Sequence, residues 1–198
     1  MRVLIIHCHP EPQSFNATLS RTAHRTLTEQ GHAVRVSDLY GEGFQPVEGP
    51  QHYSDRADPA VFSPLAEQRH AWQQGNLPAD VQREIDRLEW AELLILQFPL
   101  WWHGAPALLK GWFDRVMVSG GLYTSRMRYD AGYFRGRRAL LSVTTGAPAT
   151  AECNGGVVQT TEHGKLPFSN SRSRKALVAC SRRFECLGFV RGTAFLGR

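Results

Sequence analysis

Short runs of apolar residues recur along the chain at positions 3–6, 33–37, 93–98 and 138–143. The first, third and fourth of these runs contain three or more consecutive apolar residues, which is typical of parallel strands that helices cover on both faces. The pattern therefore predicts four strands, of which at least three are buried.

Between these runs, apolar residues return at helical spacing. The first helix is predicted to begin after Ser14, a favourable N-cap, and to end at Gly31. Two further stretches predict helices, one that opens at Ala79-Asp80 and one with Pro106 in its first turn. The apolar positions that carry the three predictions are Phe15, Leu19, Ala23 and Leu27, then Val81, Ile85 and Leu88, and finally Leu108, Leu109, Trp112 and Val116.

The remaining segments are less periodic. Residues 41–78 are rich in Pro, Gly, Gln and His and predict a long loop with a short helix at 68–74. Residues 173–186 predict a last helix and residues 189–196 a last strand. Strands and helices that alternate in this way, with right-handed connections, form a parallel sheet with helices on both faces. We expect one domain that covers residues 1–198.

The third strand leads into an aromatic loop, in which Trp101, Trp102 and His103 follow Pro99 and Leu100. Ligands of open α/β sheets bind at the carboxyl ends of the strands, and a flat aromatic ligand suits such a loop. The fourth strand ends in residues whose backbone groups could bond the polar edge of a heteroaromatic ring: Thr144, Thr145, Gly146 and Ala147. The alternative is that the tryptophans fill the core or form a subunit contact.

The loop after the first strand meets the start of a helix, where free backbone N–H groups favour an anion. Gln13, Ser14 and Asn16 add side chains that suit phosphate oxygens, although Ser14 could serve as a helix cap alone. The chain has neither the G-x-G-x-x-G motif nor a Walker lysine, so a Rossmann dinucleotide site and a P-loop are not expected. His7 and His9 could form half of a metal site, but no third ligand is evident, and we expect no metal.

Composition narrows the class of protein. The 198 residues carry a formal charge of +5, yet no nucleic-acid-binding motif accompanies the basic residues. The four cysteines show neither disulfide nor zinc spacing, which indicates a reducing compartment. No apolar run has the length of a membrane span or the character of a signal peptide. We therefore expect a cytoplasmic protein. Because acids, bases and nucleophiles are scarce near the predicted site, a bound cofactor is expected to supply the chemistry.

Taken together, the motifs resemble those of the NAD(P)H:quinone oxidoreductases, the DT-diaphorase-like flavoproteins with a flavodoxin-like fold. The resemblance covers roughly residues 1–148. The matching residues are His9-Pro10-Glu11, Ser14-Phe15-Asn16, Asp38-Leu39-Tyr40, Gly75-Asn76-Leu77-Pro78, Asp80, Gln97-Phe98-Pro99-Leu100, Trp102, Pro106-Ala107, Leu109-Lys110-Gly111-Trp112-Phe113, Tyr129-Asp130, Gly132, Phe134, Ser142 and Thr144-Thr145-Gly146. The resemblance implies a five-stranded parallel sheet of order 2-1-3-4-5 and a bound FAD, with FMN as the alternative.

The resemblance also implies roles for individual residues. The flavin phosphates and ribityl chain would be held by His9, Ser14, Phe15 and Asn16. The isoalloxazine would be bordered by Pro99, Leu100, Trp101 and Trp102, and its polar edge bound by Thr144, Thr145, Gly146 and Ala147. The substrate slot would involve Trp102, His103 and Tyr123.

The activity implied is a two-electron reduction of quinones by NAD(P)H, with hydride transfer through flavin N5 in a ping-pong sequence. Similar enzymes carry a tyrosine and often a histidine soon after the position of Pro148, and residues 149–156 contain neither. Three alternatives therefore stay open. They are a nitro or azo reductase, a flavin-binding regulatory subunit of a potassium-efflux transporter, and a flavin-binding homologue with impaired catalysis.

A homodimer is expected on two grounds. One small domain is not expected to cover the rings of Trp72, Trp101, Trp102, His103 and Tyr123, and uncovered aromatic patches usually mark interfaces. The resembling enzymes are dimers with the substrate slot at the subunit junction. The alternative is a monomer whose loop 41–78 folds over its own pocket.

Overall fold

Strands and helices alternate along the chain, as the hydrophobic pattern predicts. The structure is a computed structural model that describes residues 1–127, 131–145 and 175–181. Its elements are β1 (Arg2–His7), α1 (Phe15–Glu29), β2 (Ala33–Asp38), α2 (Pro64–Gln74), α3 (Ala79–Trp90), β3 (Leu93–Pro99), α4 (Ala107–Val116), β4 (Arg138–Thr145) and β5 (Lys175–Ser181), with a 3₁₀ turn at Pro50–His52.

The strands form one sheet in the order β2-β1-β3-β4-β5. The pairs β1–β2, β1–β3 and β3–β4 are parallel. The predicted α/β fold with a parallel sheet is therefore confirmed for the first four strands, whose order is 2-1-3-4. Because these strands are parallel, their carboxyl ends lie at one edge of the sheet.

The end of the chain differs from the prediction. Residues Lys175–Ser181 were expected to lie in a helix, but they form β5, which runs antiparallel to β4. A short apolar run such as Ala176 to Cys180 fits a buried helix or a strand equally well, and the free edge of β4 offers backbone partners that favour a strand. The strand predicted at 189–196 lies outside the described residues, so a fifth parallel strand is not confirmed.

The two faces of β1 pack against different helices. Val3 and Ile5 form a small core with Ile95, under Ala23 and Leu27 of α1. Leu4, Ile6 and Cys8 point to the other face and join the larger core. That core contains residues of α3 and α4, including Ile85, Leu88, Leu109, Trp112 and Val116. Trp112 thus fills the core.

The long segment before α3 is more ordered than its composition predicts. Its helix begins at Pro64 rather than at residue 68, because proline is compatible with a first helical turn, and it ends at Gly75, whose φ of +66° suits a helix C-terminus. Glu67 of α2 binds the preceding loop, since it accepts hydrogen bonds from Arg56 Nε (2.7 Å) and the backbone N–H of Ala57 (2.9 Å). These contacts do not require a partner chain.

A buried carboxylate connects α3 to its neighbours. Glu84 is almost fully buried and accepts hydrogen bonds from Ser37 Oγ of β2 (2.7 Å), Trp112 Nε1 of α4 (2.9 Å) and Arg87 (2.7 Å). Several charge-assisted bonds offset the cost of burying the charge. Over residues 1–127 and 131–145, no helix is long and apolar enough to cross a membrane.

Candidate functional site

The carboxyl ends of β1, β3 and β4 lie side by side. Gln97 of β3 pairs with His7 on one side and with Ser142 on the other, and Pro99 pairs with Thr144. One residue further on, the backbone N–H of Leu100 donates to the carbonyl of Thr144 at 2.8 Å. The loops that follow the three strands therefore start at the same place.

The loop between β1 and α1 presents several hydrogen-bond donors. Ser14 is the N-cap of α1, and its Oγ accepts from the backbone N–H of Ala17 at 3.1 Å. The N–H groups of Phe15 and Asn16, in the first turn, have no partner among the described residues. Nδ1 of His9 accepts from the N–H of Glu11 at 3.0 Å, so the neutral imidazole carries its proton on Nε2. This arrangement can bind an anion.

A buried network of three polar side chains joins this loop to the sheet. Asn16 Oδ1 accepts from Gln97 Nε2 at 2.5 Å, and Asn16 Nδ2 donates to Thr144 Oγ1. All three residues are buried. The side chain of Asn16, which was expected to contact phosphate oxygens, is thus bonded inside the protein in this structure. The network fixes the start of α1 against the ends of β3 and β4.

Gln97 belongs to this network but was not among the site residues predicted from the sequence. The chain offered a signal, because Gln97 is a lone polar residue in an otherwise apolar strand. A buried amide requires hydrogen-bond partners. What the sequence alone could not show is that the partner is Asn16, which lies 81 residues away.

The aromatic loop after β3 is a tight turn. The backbones of Trp101 and Gly104 exchange two hydrogen bonds of 3.0 Å, and the residues between them have positive φ, 50° at Trp102 and 60° at His103. Positive φ at two central residues is the signature of a type I′ turn, which favours Asn and Gly over bulky side chains. The turn therefore holds Trp102 in an unfavourable backbone conformation, with its side chain 98% exposed.

Other predicted residues have less defined positions relative to the site. The ring centroids of His9 and Trp101 are 6.1 Å apart, so these two loops are in contact. The backbone of Tyr123 bonds to Val118 and Gly120 within its own turn, and its side chain is half-buried. Gln13 is exposed, Phe15 and Thr145 are half-buried, and Pro99 is buried. Gly146 and Ala147, like Tyr129 and Asp130 of the resemblance, lie outside the described residues.

The cysteine at the end of β1 is not an activated nucleophile in this geometry. Cys8 is fully buried at the end of β1, and burial raises the pKa of its thiol to about 12. The thiol is therefore protonated at neutral pH, and the thiol is a poor nucleophile. The described site offers donors, aromatic rings and amides, which suit binding and orientation of a ligand better than acid–base or covalent catalysis.

Comparison with known proteins identifies the family. A family model described as having a flavodoxin-like fold matches residues 1–171, and the chain belongs to this family. A ribosyldihydronicotinamide dehydrogenase (quinone) from Pongo abelii is 39% identical over 175 residues, which cover 84% of this chain and 76% of the relative. An NAD(P)H dehydrogenase (quinone) 1 from Cavia porcellus is 42% identical over 146 residues, which cover 73% of this chain and 53% of the relative.

A solved structure agrees with this assignment. A protein from Klebsiella pneumoniae that is proposed to be a quinone reductase superposes with a TM-score of 0.69, at 39% identity, over 74% of this chain and 60% of the other. The chain thus spans less than two thirds of the length of two of these three proteins. The predicted kinship with the quinone oxidoreductases is confirmed, and at the level of the family the chain is an enzyme of the NAD(P)H dehydrogenase (quinone) class.

Proposed function

We propose that the protein catalyses the two-electron reduction of a quinone by NAD(P)H with a bound flavin. The overall reaction is NAD(P)H + H⁺ + quinone → NAD(P)⁺ + hydroquinone. When bound, the flavin would supply the hydride relay at N5, accepting hydride from the nicotinamide and passing it to the quinone after the nicotinamide has left. The observation that carries the proposal is the meeting of an anion-binding helix start and an aromatic turn at one sheet edge, in a chain whose relatives are quinone dehydrogenases.

The first loop fits the phosphate end of a flavin. The free N–H groups of Phe15 and Asn16 lie at the positive end of the α1 dipole, and Nε2–H of His9 and the hydroxyl of Ser14 can donate as well. Asn16 would act mainly through its buried bonds, which set the position of these donors. Gln13 is exposed beside them.

The second and third loops fit the ring end. Pro99, Leu100 and Trp101 form one wall, and Thr144 and Thr145 end the neighbouring strand, with Gly146 and Ala147 next in the chain. This chain would therefore hold and orient the ring and exclude water from it. Trp102, His103 and Tyr123 are proposed to line the substrate slot.

The exposed turn supports a homodimer. Leu100, Trp101 and Trp102 are 41%, 42% and 98% exposed, and a second subunit would cover such a patch. Trp72 no longer supports this argument, because it packs against the core of its own chain. Sedimentation at low micromolar concentration tests the dimer, and a 22.2 kDa species with full activity would contradict a shared site.

Four properties stay predictions. They are the homodimer, a single domain over residues 1–198, a cytoplasmic location, and FAD rather than FMN as the cofactor.

The reaction is tested by anaerobic half-reactions of the purified protein. The bound cofactor is first extracted and weighed, which separates FAD from FMN. We expect NADH or NADPH to bleach the yellow absorbance and a naphthoquinone to restore it. Dihydronicotinamide riboside is a third donor to test, because relatives are named for it.

Each contrary outcome points to an alternative. A yellow protein that none of the three donors can bleach contradicts the proposed reaction and favours a regulatory or catalytically impaired flavoprotein. Restoration by a nitro or azo compound but not by a quinone favours the reductase alternative. A colourless protein that takes up neither FAD nor FMN would show that the flavin site is wrongly assigned.

A further inference from the structure

A cavity lies on the side of β1 that is away from the aromatic turn. It has a volume of about 560 Å³ and lies between helix α1 and the carboxyl ends of β1 and β2. This volume is typical of sites for small organic ligands. The residues that line it are His7, His9, Pro10, Pro12, Ala17, Ser20, Arg21, His24, Val36, Asp38, Tyr40 and Gly41.

His7 forms the polar floor of this cavity. Along β1, Val3 and Ile5 fill the face under α1 with apolar groups, and His7 is the next residue on that face. Its side chain is only 6% exposed, and its Nδ1 has no hydrogen-bond partner among the described residues. Buried polar groups are normally bonded, so an unpaired ring nitrogen at a cavity marks a position where a ligand atom would complete the bond.

The wall formed by α1 is basic. Arg21 lies along the cavity, and its guanidinium is held by bonds to the carbonyl of Pro12 (2.6 Å) and to Thr18 Oγ1 (3.2 Å). A guanidinium has five N–H donors, so donors remain after these two bonds. His24 lies one turn further along the same helix. This wall suits a phosphate group.

The wall formed by the end of β2 has the opposite character. One carboxylate oxygen of Asp38 accepts from the backbone N–H of Gly41 at 3.0 Å. A side chain at position 41 would place its Cβ 2.8 Å from the other oxygen, so glycine leaves this carboxylate room. Tyr40 lines this wall as well. A carboxylate repels phosphate but accepts hydrogen bonds from the hydroxyl groups of a sugar, as the acidic residue of Rossmann folds does from ribose.

We propose that this cavity binds a ribose phosphate unit, with the phosphate at Arg21 and His24 and the sugar hydroxyls at Asp38 and His7. A ligand with both chemistries fits the site, because a phosphate alone leaves the second carboxylate oxygen of Asp38 without a donor among the described residues, and a sugar alone leaves the guanidinium of Arg21 without an anion. Such a unit occurs in a free nucleotide and in the AMP half of a dinucleotide. The inference does not depend on the quinone reaction.

The experiment measures binding of AMP by calorimetry, with inorganic phosphate and adenosine as partial probes. We expect AMP to bind at least about tenfold more tightly than either, and Arg21→Gln to weaken AMP by about tenfold, as one charge-assisted bond would. Arg25→Gln, which removes the same charge from an exposed position of α1, is the matched control and should change the affinity by less than about twofold. His24→Gln, at an exposed position, tests the same wall if Arg21→Gln proves unstable.

Two further measurements make the assignment specific. Asp38→Asn should weaken AMP and leave the weak binding of phosphate unchanged, and AMP should shift the ¹⁵N resonances of the His7 ring. Flavin-loaded and flavin-free protein separate the two sources of the ligand. If FAD abolishes AMP binding, the cavity takes the AMP half of a dinucleotide; if AMP still binds, it takes a free nucleotide. The proposal is overturned if neither form binds AMP saturably, or if the Arg21, His24 and Asp38 variants bind AMP as the parent does.

Discussion

Replacing Asn16 with leucine tests the buried network that places the first loop. Leucine has a similar volume, but it removes both the acceptor of Gln97 Nε2 and the donor to Thr144 Oγ1. Both partners remain buried. Each unpaired buried group costs about 1–3 kcal/mol, and the added apolar burial of leucine returns part of this. We therefore expect a loss of about 2–4 kcal/mol in the free energy of unfolding.

The assay is urea and thermal unfolding of the flavin-free protein, followed by circular dichroism. For a chain of this size, about 1 kcal/mol corresponds to about 2–4 °C, so the melting temperature should fall by about 5–15 °C. Thr26→Leu, at an exposed position of the same helix, is the control and should change stability by less than about 0.5 kcal/mol. A loss as small as that of the control would show that Asn16 is not buried in a network.

A double-mutant cycle with Gln97→Leu isolates the bond itself. In the absence of Gln97, Asn16→Leu no longer leaves the amide of Gln97 unpaired. The losses of unfolding free energy in the two single variants should therefore sum to about 1–2 kcal/mol more than the loss in the double variant. Strictly additive losses would refute a direct bond between the two side chains. The folded Asn16→Leu protein should also lose flavin, because the donors of the first loop shift; a fully yellow variant would refute the phosphate-loop assignment.

Three other expectations follow from the described contacts. Trp102→Ala should slow quinone reduction by about tenfold with flavin retained, because an orienting wall is lost; unchanged turnover in steady-state assays would contradict this. Glu84→Leu should destabilise the protein by about 3–5 kcal/mol in urea, since Trp112 Nε1 and other buried donors lose their acceptor, and a loss within about 0.5 kcal/mol would refute it. The pKa of His7 lies below 6.5, because burial lowers it more than Asp38 raises it. As the pH falls below 6.5, the imidazole of His7 is therefore protonated more readily in the unfolded chain than in the folded one, which lowers the stability of the fold. The His7→Leu variant should lose less stability than the parent between pH 7 and pH 5. An equal loss would exclude His7 as the cause.

Much of the fold could be predicted because it depends on local periodicity. The apolar runs of β1 and β3, and the apolar residues at every fourth position of α1, are visible in windows of about ten to fifteen residues. These elements form as expected. The position of the candidate site also follows from local information, since parallel strands place their carboxyl ends together. This is why His9 and Trp101, 92 residues apart in the chain, were expected at one site and are in contact.

The parts that could not be predicted depend on contacts distant in sequence. The helix at Pro64–Gln74 has a weak apolar face, and its position is set by Glu67 and Gln68, which bond to other segments. The strand β5 forms where β4 offers an open edge, which no local pattern reveals. Trp72 was expected in an uncovered patch, but it packs over Gly121, where any side chain would meet its ring.

Departures from local rules concentrate where the strands end, and this supports a functional edge. Gln97 is an amide in an apolar strand, His7 is an imidazole in an apolar row, and Trp102 and His103 occupy a backbone conformation that favours glycine. Each departure costs stability that a plain apolar or glycine residue would not. A fold that only needed to be stable would not place these costs together, so their common position is best explained by ligands that bind on both sides of β1.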